Sequence, residues 1–258
     1  MSRSFRTRRA VLSSLTVGAF APALFFSRSA RSQTAADARA IVERADEIRF
    51  PRESFQTDIT VTNFNDGVEG DQRRYRVLSR GNDNTIVLTV SPASERGQAL
   101  LMRGRDLWVF MPTVSQPVRL SLAQRLTGQV ANGDLARANF AGDYDPSLSG
   151  REILDGIDCH LLELVATDRG VTYARVRYWV SVADNRPVRA EFFALSGRLL
   201  KTCRYENFRE LAGQMRPTRL VMEDALKPGD YSVLEYEAMA LRDLPERMFT
   251  REYLRRLQ

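Results

Sequence analysis

The residues with the most reactive chemistry are few. The chain's one histidine, His160, follows Cys159, and the second cysteine is Cys203. Two thiolates and an imidazole are soft ligands that can hold zinc, but no second ligand stands at the short spacing that structural zinc sites use. Apolar neighbours on both sides make His160 read as a packed strand residue, and any histidine-based triad would have to use it. Asp143 and Asp145 flank Tyr144 and resemble a carboxylate pair, yet they sit among Gly and Pro, where Asp serves turns. Arg73, Arg74, Arg76 and Arg80 can meet anionic headgroups. With Asp71 and Asp83 close by, they read by default as a solvated strand face. There is no phosphate loop, dinucleotide fingerprint, nucleophile-elbow serine or zinc-protease helix. No catalytic residue, metal site or cofactor is expected.

These residues lie on a chain that reads as mainly β (α+β). A short amphipathic helix comes first, with Ala38, Ile41, Val42, Ala45 and Ile48 at helical spacing and Thr34 or Asp37 as a cap; Pro51 follows its end. Strand-like runs cover 55–64, 74–80, 85–91, 98–103 and 106–111, bounded by turn residues such as Asn65-Asp66-Gly67, Pro92 and Gly104. The stretch 122–148 suits short helices and loops. Strands resume at 157–166, 172–182, 187–195, 198–208, 217–225 and 230–241. Residues 245–257 read as a closing helix, with Arg255 and Arg256 in its last turn. The spacing implies hairpins, hence an antiparallel sheet, and about eleven strands in series curl into an open or closed barrel with helices over the concave face.

Most strands have one apolar and one charged face. Trp108 and Phe110 point one way, and Leu107, Val109 and Met111 the other. Tyr178 opposes Trp179, and Phe192 opposes Arg189 and Glu191. The shortage of helix to cover so much concave sheet favours an apolar cavity over a filled core. Its expected lining is Tyr75, Leu88, Leu101, Trp108, Phe110, Phe140, Tyr178, Phe192 and Tyr205. Cys159 and Cys203 lie on separate strands; they form a disulfide if those strands are adjacent or facing, and stay free thiols otherwise.

The N-terminus explains the chain's charge. Arg8-Arg9 precede an uncharged run over residues 10–26, and small residues follow at Ala30-Arg31-Ser32, the three parts of an export signal. The paired arginines suggest the twin-arginine type. The run is at the short end of the about 17–25 residues that cross a bilayer, so a cleaved signal is preferred to an anchor. The chain carries 38 Lys and Arg against 32 Asp and Glu, a formal +6. All six surplus bases lie in the first 32 residues, which hold no acid. Residues 33–258 are formally neutral and give no support for nucleic-acid binding. The expectation is a signal over 1–32, cut before Gln33, then a single periplasmic, soluble, monomeric domain over 33–258.

With the elements in place, several segments resemble a known family. Gly104-Arg105-Asp106-Leu107-Trp108-Val109-Phe110-Met111-Pro112 resembles the G-x-D-L-W-x-Y-x-P signature of the outer-membrane lipoprotein-sorting family, related to the LolA and LolB carriers. Val118-Arg119-Leu120-Ser121 looks like its next strand, and Gly133-Asp134-Leu135, Phe140 and Asp143-Tyr144 like its mid-chain loop. Residues 156–164 and 186–193 are similar to two later strands. The resemblance covers nearly all of residues 33–258. It implies an unclosed β-barrel with helices over its mouth (LolA/LolB-like), no catalysis, and binding of acyl chains of lipoproteins or lipids on their way to the outer membrane. An inner-membrane transporter and an outer-membrane acceptor would be its partners. The Gly-rich region Gly128–Gly150 is then the natural gate. The arginine with which the family's carrier latches its lid is not placed by sequence, and the twin-arginine signal leaves room for a cargo other than lipoproteins. The competing reading is a non-catalytic adaptor subunit of an envelope lipid or efflux transporter, with a filled barrel.

Overall fold

The structure, a computed structural model, describes residues 27–254 apart from 82, 115 and 138. Helix α1 (Ser27–Arg49) leads into β1 (Phe55–Asn65), β2 (Val68–Arg80), β3 (Asn84–Ser91), β4 (Ala99–Arg103), β5 (Asp106–Phe110) and β6 (Val118–Leu120). The middle holds a small hairpin, β7 (Arg125–Thr127) and β8 (Val130–Ala131), and helices α2 (Asn132–Ala136) and α3 (Phe140–Asp143). Then come β9 (Tyr144–Leu154), β10 (Ile157–Ala166), β11 (Arg175–Ser181), β12 (Pro187–Phe193), β13 (Leu199–Leu211), β14 (Gln214–Asp224) and β15 (Tyr231–Leu241). The described chain ends in α4 (Arg251–Leu254).

Thirteen strands form one antiparallel sheet in the order β6-β5-β4-β3-β2-β1-β15-β14-β13-β12-β11-β10-β9. Strand β1 pairs with both β2 and β15 and so joins the two halves of the chain. Every other neighbour is a hairpin neighbour, as the short connections dictate. Five strand connections have two residues each, and in three of them, Asp66-Gly67, Asp155-Gly156 and Ala212-Gly213, both residues are at positive φ. That is the turn whose twist matches a right-handed hairpin. The edge strands β6 and β9 do not pair with each other, so the wall is an unclosed barrel.

Two sheet strands beyond the eleven read from periodicity are present. One is β6, anticipated only through the family resemblance. The other is β9, whose first residues, 144–148, lie in the region expected to be helix and loop. It carries Pro146, Ser147, Ser149 and Gly150, and its middle is exposed on both faces. Only Tyr144 and Pro146 at its start are buried, and an edge strand exposed over the rest of its length shows no alternation, which is why it did not read as one.

The main core lies on the concave side. There Ala38, Ile41, Val42 and Ala45 of α1 meet Tyr75, Val77, Leu162, Leu164, Val176, Tyr178, Cys203, Tyr205 and Leu234 from the wall. The expected helix is therefore present but longer: Thr34 and Asp37 lie within it rather than capping it, because no Gly or Pro over residues 27–36 ends the helix before them. The cut expected before Gln33 falls in its first turns, while the twin-arginine pair and apolar run (residues 8–26) lie outside the described residues. Among the described residues no helix is long and apolar enough to cross a membrane.

A second apolar cluster lies on the other side of β2–β5. Leu78, Ile86, Ala99, Leu101 and Phe110 are covered there by Leu244, Phe249 and Leu254, with Leu88, Trp108 and Met248 at its margin. This tail is a 3-10 turn at Glu246–Met248 and the single turn of α4, not one continuous helix. Phe249, with φ −89 and ψ 48, breaks the helical path. Its ring, fully buried, is the anchor. Arg255 and Arg256 lie outside the described residues.

Cys159 and Cys203 are free and buried. They sit on β10 and β13 with β11 and β12 between them. Three strand spacings are roughly 14 Å, twice the reach of a disulfide. The disulfide is thus ruled out by topology.

Candidate functional site

The chain between the two edge strands, residues 121–143, crosses the gap in the barrel and forms a lid. It places Leu122, Val130, Leu135 and Phe140 in the main core. Each such side chain contributes about 1.5–3 kcal/mol by burial. The lid's other attachments are polar. On one side Asp134 of α2 accepts hydrogen bonds from Lys201 Nζ at 2.6 Å, Tyr173 Oη at 2.8 and 2.9 Å, and the Ala131 amide at 2.8 Å. Lys201 also donates to the Gln129 carbonyl at 2.5 Å. On another side Arg137, just past α2, forks onto Asp143 at 2.5 and 2.8 Å, and reaches Asp83 at 3.0 Å and the Gly104 carbonyl at 2.9 Å. Arg105 adds a bond to Asp143 at 3.2 Å. These contacts tie α2 and α3 to the β2–β3 and β4–β5 turns.

The hairpin tip is fixed to the wall's centre. Asn63 of β1 donates to Thr127 at 2.7 Å and accepts from Ser232 of β15 at 2.6 Å, while Ser232 accepts from the Gln129 amide at 2.9 Å. Gly128 lies between Thr127 and Gln129 at φ +48, where a Cβ would collide with the Asn63 and Ser232 side chains. Only glycine allows this approach. On the helix side, Asp46 of α1 accepts from the Ala141 amide at 2.8 Å, and Arg39 donates to the Ala141 carbonyl and pairs with Asp145 at 3.0 Å.

Beneath the lid the interior is largely filled. Phe140 packs edge-on against Tyr144, Tyr178 and Phe192. The Arg49 guanidinium, at the end of α1, lies 4.1 Å over the Phe140 ring and 3.1 Å from Asp46. Two small voids lie there, one of about 20 Å³ lined in part by Arg49, Phe140, Phe192 and Tyr205, and one of about 10 Å³. Burial pushes Asp46 up to about 6 against the pull of Arg49, and pushes the Cys203 thiol up to about 12.

Two larger clefts flank the lid on the wall side. One, of about 330 Å³, runs between the lid hairpin and β3–β6, with Tyr75, Val87, Leu100, Val109, Leu120 and Leu126 among its lining. It is the more apolar and matches the size of small-ligand sites. The other, of about 240 Å³, lies across the hairpin beside β13. A third opening, of about 440 Å³, lies between α1 and α3 and is lined by Glu43, Asp46 and Glu47 among others.

The structure divides the residues expected to line a cavity. Tyr75 lines the 330 Å³ cleft, and Phe140, Phe192 and Tyr205 border the 20 Å³ void; Tyr178 is buried in the same core. Leu88, Leu101, Trp108 and Phe110 are on the opposite face, under the C-terminal tail. That part of the expected lining is corrected: β3–β5 are covered on both sides, so both faces are apolar and alternation alone does not tell inside from outside. Arg251 lies over the Trp108 ring at 5.2 Å.

The other sequence candidates also find places. His160 is half-buried with Nδ1 unpartnered, and burial, then Arg151, lowers its pKa. Asp143 serves as the acceptor hub of Arg137 and Arg105 rather than a turn residue. Arg73 pairs with Glu95, Arg74 and Arg76 with Asp58, and Arg80 with Glu246, so the basic run is neutralised in place. Asp46, Arg49, Asp134, Arg137 and Lys201 were missed. Arg49 and Lys201 had a signal: each is a charged residue in phase with an apolar stripe, Arg49 with Ala38, Val42 and Ala45, Lys201 with Cys203 and Tyr205.

A family model described only as an uncharacterized protein matches residues 81–256. A comparison with curated protein sequences gives no match. Among solved structures, a LolA superfamily protein from Nitrosomonas europaea is 60% identical, aligns over 84% of this chain and 98% of its own, and superposes with a TM-score of 0.79. A DUF1329 family protein from Desulfovibrio piger is 22% identical over 86% of this chain and 99% of its own, at 0.74. A domain designated an outer membrane lipoprotein-sorting protein, from Vibrio parahaemolyticus, is 21% identical over 85% and 99%, at 0.72. The last two are similar in fold.

Proposed function

The chain belongs to the LolA superfamily, and on that premise we propose that it is a non-catalytic periplasmic carrier of acyl chains. It takes up the chains of a lipoprotein or lipid under the lid and moves them towards the outer membrane. The observation that carries this reading is the seam between lid and wall. An apolar cleft of about 330 Å³ already opens there, and the lid that bounds it crosses an unpaired gap in the sheet instead of closing it by hydrogen bonds. The lid's polar groups can be solvated when it detaches, and the apolar side chains it withdraws leave room that an acyl chain can fill. Export by the N-terminal signal, and transfer between an inner-membrane transporter and an outer-membrane acceptor, belong to the same proposal.

The test is native mass spectrometry of protein recovered from a bacterial periplasm, followed by titration with a fluorescent acyl probe. Co-purifying acylated ligand, and saturable probe binding that the ligand displaces, are the expected results. Absence of both removes the carrier reading. The filled interior, with voids of only 20 and 10 Å³, favours the second reading, an adaptor subunit of an envelope transporter. Crosslinking to a protein partner with no lipid bound would select it.

A further inference from the structure

Lys201 and Tyr173 belong to the wall: Lys201 is on β13, and Tyr173 is in the connection between β10 and β11. Both donate to one carboxylate, Asp134, which belongs to the lid. Lys201 and Asp134 are almost fully buried, with side-chain exposures of 5% and 7%. The ammonium lies over the rings of Tyr173 and Phe192 at 5.0 and 5.6 Å, a setting that holds a cation but does not neutralise it. If the lid lifts, Asp134 leaves with it. The wall then presents an ammonium and a phenol aimed at the place a carboxylate has vacated. A desolvated cation left there demands another anion.

The approach to that place is also built for one. The 240 Å³ cleft beside the hairpin reaches Lys201 and Tyr173, with Arg125 and Arg198 on its lining against one acid, Asp224. Arg125 and Arg198 are exposed; Arg125 is near enough to Asp230 to act on it electrostatically. Asp224 is engaged with the amides of Leu226 and Lys227. Val130, Leu200 and Leu226 supply apolar surface in the same cleft. Positive charge at the rim and apolar surface beside it suit an amphiphile with an anionic head.

We propose that Lys201 and Tyr173 form a subsite for the acidic headgroup of the cargo, a carboxylate or phosphate, and that Asp134 occupies this subsite as an internal surrogate while the lid is closed. The proposal rests on the carrier reading and names its substrate class: an anionic amphiphile displaces the lid carboxylate, where a neutral lipid does not.

The test compares cis-parinaric acid with its methyl ester, which has the same tail and no charge, on the full chain by fluorescence titration. The wild type is expected to prefer the acid on the order of tenfold or more, the value of a charge-assisted pair. Lys201→Met is expected to bring the acid-to-ester ratio to about one with the ester affinity retained. Tyr173→Phe lowers the ratio by a few-fold. Asp134→Asn removes the competitor and raises the ratio above wild type, a gain that misfolding cannot produce. Equal binding of acid and ester by the wild type overturns the subsite while leaving the carrier reading intact. So does a ratio that Asp134→Asn does not raise, or one that persists in Lys201→Met. Binding of neither probe removes the carrier reading and the subsite with it. Displacement of the acid by inorganic phosphate at comparable concentration would make this a site for free anions and overturn the amphiphile.

Discussion

Arg137→Ala tests whether the lid is fastened where the geometry says. Arg137 is 9% exposed and Asp143 4%. The substitution removes both bonds of the fork and the contacts to Asp83 and Gly104. Truncating one partner of a buried pair costs about 3–5 kcal/mol, since the other charge stays buried without compensation. Asp143 keeps Arg105 at 3.2 Å, so the lower end, about 3 kcal/mol, is expected. For a domain of this size that is a fall in Tm of about 6–12 °C. Arg137→Lys keeps the charge but not the fork, and should lose roughly half as much. Thermal unfolding gives the magnitude, and amide exchange gives the place. Protection should fall over residues 122–143 well before it falls in β1, β2 and β15, and uptake of an acyl probe should become faster. A Tm within about 2 °C of wild type, or a loss of protection spread evenly over the sheet, would refute the latch.

Four further substitutions have outcomes that follow from the same structure. Val109→Glu places a charge in the 330 Å³ cleft and should weaken acyl-probe binding about tenfold or more. Its neighbour Trp108, on the opposite face, should lose about 1–3 kcal/mol of stability as Trp108→Ala with probe binding unchanged; the reverse pattern would restore Trp108 to the lining. Asp46 has an ordinary value of 3.8 and a folded value of about 6, so between those values the folded state binds the extra proton. Its contribution therefore favours the fold at low pH and is lost as pH rises towards 6, by on the order of 3 kcal/mol. Asp46→Asn should flatten that component when urea unfolding is compared at pH 4.5 and 7, and parallel profiles for the two proteins would contradict it. Phe249→Ala, at a fully buried anchor, should cost about 3–5 kcal/mol and expose the outer apolar patch to aggregation, read by light scattering.

The hairpins were legible because each has the signals that physics requires: alternation along the strand and a turn such as Asp66-Gly67 between strands. The eleven strands read from the sequence all lie in the sheet. What did not read was the edge and the inside. Strand β9 buries only Tyr144 and Pro146 at its start and is exposed along most of its length. The β3–β5 strands have two buried faces, so the choice between Leu107 and Trp108 as the inward residue was a coin toss that only the position of residues 244–254 decides. The polar fasteners were the hardest. Asp134 and Arg137 are ordinary in a loop-like stretch, and they gain meaning only from partners 67 residues away, in the case of Lys201, or 54 residues away, in the case of Asp83. A charge in phase with an apolar stripe is the one local trace of such a network.

Opening the lid and mutating it are different perturbations, and the difference decides what load a carrier of this design could take. Mutation strands a charge in the core. Opening carries Arg137 and Asp143 away together, since both lie in the lid, and parts Lys201 from Asp134, whose place a cargo anion takes, so each pair costs only its net worth, which for buried pairs is small or even negative. The main cost of opening is apolar: Leu122, Val130, Leu135 and Phe140 leave the core, at about 1.5–3 kcal/mol each, or roughly 6–12 kcal/mol together. An acyl chain entering the same space returns about 0.8 kcal/mol per methylene. One chain of about fourteen methylenes roughly offsets the lid at best, before the entropy of immobilising the chain is counted. Two or three chains exceed it. On the carrier reading, a lid of this composition would stay shut over an unloaded interior and yield to a multiply acylated cargo, and a filled barrel would require no standing cavity.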